Sequence, residues 1–550
     1  MKMSRYLYTF LIITAMLTVL ITGCNMVMER RASRSPDDPQ VNTREEEPAD
    51  EGAISYQRAP GPLTGELGAG IAAGPMDGIQ SYPSGGNALP NDEPYDLTFF
   101  ENYGVNPFIA TEDEPFSTFA MDVDTASYTI ARRFIMDGNL PDPDSVRTEE
   151  FINYFDQYYL DPEDGHMFGF TLEGAESEFG RPNYHLLRIG IKSRVVEPDE
   201  RPAANMVFVV DISGSMDRQD RLEQVKRCLR LLAENLRSQD RVGLVVYGSN
   251  GRVISELTRN HDAILNAISE LRPGGSTNAN EGLTLAYDLA RENYDSERIN
   301  RIILCSDGVA NVGLTDADSI LEQVKQDALD GITLTALGFG MGNYNDVLME
   351  KLANHGDGCY YYIDSDEEAD RLFEDGAVDL LMTIASDAKI QVEFSEDAVD
   401  RYRLIGYENR RLDTEDFMDD TVDAGEVGPG VAVSAIYEVR VRDDVQDDPD
   451  ELLATVRVRY ENVETREVEM DEAEVHVGNV LRPFGESSRM FQFVAGVAEF
   501  GELLKGSYWA EDGSYESVLE TVENLAVNDV EREFIDLVER TIELDARTGG

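Results

Sequence analysis

Three short stretches of this 550-residue chain carry clustered oxygen donors. The first, Asp211-Ile212-Ser213-Gly214-Ser215, directly follows the apolar run Met206–Val210. Alternate positions place Asp211, Ser213 and Ser215 on one side of a tight turn, and Gly214 lets the backbone close around whatever they hold. The second, Pro273-Gly274-Gly275-Ser276-Thr277-Asn278, offers the Thr277 hydroxyl, and the third, Cys305-Ser306-Asp307-Gly308, offers the Asp307 carboxylate. Such hard oxygens suit Mg2+, which demands near-octahedral geometry and retains water. Taken singly, each string also reads as a helix cap, because Ser, Thr and Asp accept hydrogen bonds from a first helical turn. Only convergence of all three would turn capping residues into a cation site.

Other chemistries find less support. The five histidines, His166, His185, His261, His355 and His476, are scattered, and His355 with Cys359 is only a pair, short of a zinc set. Neither Gly-x-Ser-x-Gly nor a P-loop occurs, since the run at Gly274 lacks the Gly-Lys-Ser/Thr ending that cradles phosphate. Asp124, Thr125 and Ser127 stand just ahead of a helical pattern and read as caps rather than ligands. A Mg2+-dependent phosphohydrolase built on Asp211 and Asp307 is the enzyme alternative, but it lacks a general base or nucleophile beyond the ligands themselves.

The elements around these loops predict an α/β fold. Strand patterns at Met206–Val210, Val242–Tyr247, Ile302–Cys305, Ile332–Phe339 and Tyr360–Ile363 alternate with helical ones through Leu222–Leu236, Ile264–Ile268, from Glu281, Ala317–Leu329 and Val347–Leu352. That alternation gives a mostly parallel, Rossmann-like doubly wound sheet over residues 203–384, and ligands on such sheets collect at the carboxyl ends of the strands. The first strand ends in Asp-x-Ser-x-Ser where a dinucleotide fold needs Gly-x-Gly-x-x-Gly, so nucleotide binding is not expected. A small α+β unit is expected before it, over 96–200. After it come an antiparallel module with period-two runs at Ile390–Phe394, Ala432–Val441 and Leu453–Tyr460, over 388–480, and a helical segment over 481–550.

The Asp211–Ser215, Thr277 and Asp307 combination resembles the metal-ion-dependent adhesion site of von Willebrand factor type A (VWA) domains, across Met206 to about Ile384. The resemblance implies that Ser213, Ser215 and Thr277 bind a cation directly, Mg2+ or else Mn2+ or Ca2+, while Asp211 and Asp307 act through water or neighbouring hydroxyls. It also implies an open position that accepts a carboxylate from a partner protein. Ser306 stands where many relatives have Thr, a mild departure. The segments Asn106-Pro107-Phe108, Ser117–Tyr128, Val146–Phe155, Tyr402–Arg410 and Asp423-Ala424-Gly425-Glu426 are similar to bacterial VWA lipoproteins with one characteristic domain on either side. Val431 departs from that pattern, which would place a His after the Gly430 turn, so no histidine ligand is expected there.

At the amino terminus, Lys2 and Arg5 precede an apolar run from Tyr6 to Ile21, and Ile21-Thr22-Gly23-Cys24 resembles a bacterial lipobox. Residues 1–24 are therefore read as a signal peptide ending at a lipidated Cys24, and 25–95, rich in Pro, Gly, Ser and acidic residues, as a tether. Asn25 does not supply the Asp linked to inner-membrane retention, which points to the outer membrane. Three cysteines remain after Cys24, an odd number in apolar settings, so no disulfide framework is expected. A net charge of −60 excludes nucleic acid as a partner and is what a protein of saline surroundings would carry. The expected protein is thus a lipid-anchored envelope module that binds an acidic partner through a cation. A structural spacer with an idle cation site is the second reading.

Overall fold

The computed structural model describes residues 84–85, 99–121, 124–179, 183–197, 200–218, 221–308, 314–340, 344–375 and 382–548. The expected signal peptide, the expected lipidation site Cys24 and, apart from Ser84–Gly85, the segment expected to be a tether lie outside the described residues.

Strand Ala204–Asp211 is buried along its whole length, as its unbroken apolar sequence requires of a central strand covered on both faces. It pairs in parallel with Arg241–Tyr247 on one side and Ile299–Ser306 on the other. Thr333–Phe339 and Tyr360–Ile363 extend the sheet in parallel beyond Ile299–Ser306. The edge strand Arg252–Thr258 is antiparallel. Its residues Arg252, Val253 and Ile254 are exposed, so it shows neither a buried run nor a clean alternation, and periodicity alone does not find it. Alternate side chains feed two cores. Phe208 and Val210 pack with Leu222, Val225 and Leu229 of helix Arg221–Glu234, and Val207 and Val209 pack with Leu283, Ala286 and Tyr287 of helix Ala279–Glu292. The mostly parallel, doubly wound sheet is the one expected, and the antiparallel edge strand Arg252–Thr258 brings it to six strands.

The segments before and after this sheet form common structure. Phe116–Ala120 pairs antiparallel with Ala385–Phe394, and His185–Ser193 with Ala432–Val441. The result is two antiparallel sheets of five strands along their main path, one ordered 411–412, 116–120, 385–394, 452–462, 468–476, the other 109–110, 399–405, 432–441, 185–193, 168–176. Their inner faces share one core that includes Phe119, Ile390, Val392, Leu187, Ile189 and Tyr437. The helical segments merge likewise, since Tyr128, Phe151 and Phe155 pack with Phe493, Phe500 and Phe534. The flanks were expected as separate units, but period-two patterning identifies strands without naming partners, and these partners lie more than 200 residues apart.

The helix at Ala126–Met136 also departs from expectation. Thr125 makes no side-chain capping bond. Glu150 Oε2 instead accepts from the Ser127 N–H at 2.7 Å, and Asp124 accepts from the Tyr360 N–H at 2.8 Å and pairs with Arg410 at 3.2 Å. The cap comes from a distant carboxylate, and Asp124 fastens the helix to the last strand of the parallel sheet.

Candidate functional site

The strand order reverses beside Ala204–Asp211: the next strand in sequence lies on one side and the third on the other. In open α/β sheets a ligand-binding crevice forms at such a switch point, outside the carboxyl ends of the strands. Asp211 closes one strand there, and Asp307 follows the end of its neighbour Ile299–Ser306. Both carboxylates have no solvent exposure. The loop after Asp211 turns sharply because Asp211 Oδ1 accepts from the Ser213 N–H at 2.7 Å. Asp211 Oδ2 accepts from the Ser306 hydroxyl at 3.3 Å, which joins the two strand ends. Above them the Ser213 and Ser215 hydroxyl oxygens lie 2.9 Å apart, the separation of neighbours in one polar cluster.

The glycine-rich loop is fastened to the same turn. The Gly274 N–H donates to the Ile212 carbonyl at 2.7 Å and the Gly214 N–H to the Gly275 carbonyl at 3.0 Å. A Cβ at Gly214 would stand 3.3 Å from that Gly275 oxygen, so the close approach favours glycine. Asp211, Ser213, Ser215 and Asp307 are brought together. Thr277, half-buried two residues beyond Gly275, is brought alongside through its loop, and among the described residues no side-chain bond links it to the other four.

Charge explains what the cluster wants. Burial, and then the neighbouring Asp307, push the Asp211 carboxyl up to about 7, against hydrogen bonds from Ser213 and Ser306 that favour its ionised form. The Arg221 guanidinium takes Asp307 Oδ2 at 2.8 Å, both groups fully buried. The Arg221 charge thus lies on Asp307, while no cation pairs with Asp211 among the described residues. A divalent cation fits this donor set: hard oxygens only, two hydroxyls within reach of one another, and an uncompensated buried acid. Among the described residues no group of three or more His, Cys, Asp or Glu side chains could hold a metal, so hydroxyls, not a carboxylate cage, give this site its character.

Arg221 was not among the expected site residues. A signal existed, since a basic residue opening helix Arg221–Glu234 runs against the helix dipole and needs another reason to be there. Gly340, at φ +74°, makes the room: a Cβ there would sit 2.1 Å from Arg221 Nε. Cys228 and Cys305 are free and buried, and burial pushes both thiols up, as suits inert apolar fillers.

Comparison with known proteins matches three consecutive stretches. Residues 205–375 match the von Willebrand factor type A domain, 95–188 a von Willebrand factor family, and 379–544 the family described as uncharacterized protein YfbK, C-terminal. The uncharacterized protein YfbK of Escherichia coli (strain K12) is 34% identical over 467 residues, 80% of each chain. Inter-alpha-trypsin inhibitor heavy chain H1 of Sus scrofa is 33% identical over 174 residues, 30% of this chain but 19% of that protein. Among solved structures, a von Willebrand factor type A protein from Catenulispora acidiphila covers 69% of this chain and 91% of its own at 14% identity and a TM-score of 0.40. VWA domains serve protein–protein interaction and commonly hold a divalent metal. The chain belongs to the bacterial VWA-domain family of YfbK, with the characteristic flanking segments on both sides of the VWA domain.

Proposed function

We propose that the protein is a lipid-anchored component of the cell envelope, held at the outer membrane through Cys24, whose VWA domain uses a divalent cation to bind an acidic residue of a partner envelope or surface protein. The supporting observation is the pair of fully buried carboxylates, Asp211 and Asp307, at the switch point beneath two adjacent serine hydroxyls. Ser213, Ser215 and Thr277 would hold the ion directly, and Asp211 and Asp307 would hold its water and orient the hydroxyls. When bound, Mg2+, or Mn2+ or Ca2+ in its place, supplies an electrophilic centre for a foreign carboxylate. In this reading the chain is a binding protein rather than an enzyme. Among the described residues no helix is long and apolar enough to cross a membrane.

The test is affinity capture from solubilised envelopes, with Mg2+ or with a chelator, using the full chain and Asp211→Ala. A defined partner retained only by the wild-type chain in Mg2+ supports the reading. Capture indifferent to chelator and to Asp211 overturns it. Arg221 favours the second reading, a spacer with an idle site, because it supplies Asp307 with a resident counter-charge. That reading predicts an Asp211→Ala chain with no phenotype.

A further inference from the structure

A cavity of about 520 Å3 opens beside helix Arg489–Lys505, far in sequence from the VWA loops and formed within the flanking structure. Its volume falls within the range of small-ligand sites. Phe179, Phe484 and Trp509 supply its aromatic walls, and its charged lining is unequal: five carboxylates against one guanidinium, that of Arg403. Arg403 is already engaged, with Glu502 at 2.9 Å and Glu438 at 3.4 Å, and its guanidinium stands over the rings of Phe108 and Trp509. It shows how this environment holds a cation, with carboxylates at its N–H groups and aromatic faces against its plane.

Glu499 is the acid left over. It is only 8% exposed, lines the cavity, and pairs with no cation among the described residues. Its one side-chain hydrogen bond comes from the Ser517 hydroxyl at 3.3 Å. Burial pushes its carboxyl up to about 7. The general acidity of the molecule does not account for this, because surface acids are solvated while Glu499 is withdrawn from water, which penalises its ionised form unless a positive charge pairs with it. The exposed Glu178, Asp512 and Glu520 surround the same opening and add attraction for positive charge.

We infer that this cavity binds an organic cation, an alkylammonium or guanidinium group on an apolar stem, with Glu499 as its counter-ion and the Phe179 and Phe484 rings against its stem. The volume exceeds what a bare metal ion needs, and the cavity's soft aromatic walls are poor ligands for one. The same chemistry is carried by a free small amine and by a Lys or Arg side chain of a partner protein.

Trp509 is the single tryptophan of the chain and lines the cavity, so intrinsic fluorescence reports on it. Propylguanidinium and the peptide Gly-Arg-Gly are titrated into the full detergent-solubilised chain at ionic strength held constant with NaCl. The expected result is a saturable change, weakened at least tenfold by Glu499→Gln and unaltered by Glu464→Gln, which removes an exposed charge elsewhere. Gly513→Ala, which sets a methyl 2.7 Å from Glu499 Oε1, weakens binding without changing charge and covers the case of a Glu499→Gln chain that fails to fold. Tighter binding of the peptide assigns the site to a partner's side chain, and tighter binding of the free cation to a small amine. A response that does not saturate, that NaCl alone reproduces, or that survives both Glu499→Gln and Gly513→Ala overturns the inference.

Discussion

Asp211 and Glu499 are two buried carboxyls that burial pushes up to the same value, about 7, and their surroundings differ in kind. Asp211 sits among serine hydroxyls, a second carboxylate and tightly hydrogen-bonded loops, a set of hard oxygen donors. Glu499 faces a cavity of about 520 Å3 walled by aromatic rings. Titration behaviour alone therefore does not tell a metal site from an organic-cation site; the neighbouring atoms and the volume do. The two sites, as proposed, would also be opposite in what they offer a partner: through a bound cation the VWA end would attract acidic groups, whereas the cavity would attract basic ones.

The largest effect expected on this contrast comes from Arg221. Replacing it in Arg221→Met removes the guanidinium paired with the buried Asp307 and should lower stability by about 3–5 kcal/mol in chelator. Added Mg2+ should restore part of that loss, which thermal unfolding with and without the ion measures. A loss that Mg2+ does not touch would separate Arg221 from the cation site.

Glu499→Gln should act in the opposite sense. The folded-state carboxyl lies above its unfolded value, so the folded chain binds the extra proton and stability falls as pH rises from about 4.5 to 7. Glutamine removes that penalty and should stabilise by about 3 kcal/mol at pH 8 and by almost nothing at pH 4, where the acid is mostly protonated in both states. Denaturant unfolding at the two pH values checks it, and a gain at pH 4 equal to that at pH 8 would place the effect in packing.

The smallest effect is collective. With a net charge of −60, the melting temperature should climb by several degrees as salt rises toward molar, since screening shortens the reach of self-repulsion. The change should be similar in wild type, Asp211→Ala and Glu499→Gln, because it belongs to the surface. A flat profile would remove the idea of adaptation to brine.

How far these features could be read beforehand follows from how local they are. The Asp211–Ser215 turn, the Gly274–Gly275 loop and the Ser306-Asp307 strand end are contiguous strings whose chemistry is visible in one dimension, and the apolar runs beside them fix the parallel strands. The edge strand Arg252–Thr258 escaped because it is exposed and carries no periodic burial. The shared sandwich escaped because Phe116–Ala120 finds its partner at 389–393. Arg221, Glu150 as the distant cap and Glu499 in its cavity all act through contacts that only folding creates. Glu499 in particular sits in helix Arg489–Lys505 among apolar residues, where an acid reads as a solvated position.

In the proposed function three loops build one divalent-cation site around Asp211. A Mn2+ titration of the full chain followed by electron paramagnetic resonance, in salt high enough to screen the acidic surface, counts the ions held there. The account predicts one bound Mn2+ per chain, lost in Asp211→Ala and at least tenfold weaker in Thr277→Ala. Binding of equal strength and number in the wild-type and Asp211→Ala chains would contradict it.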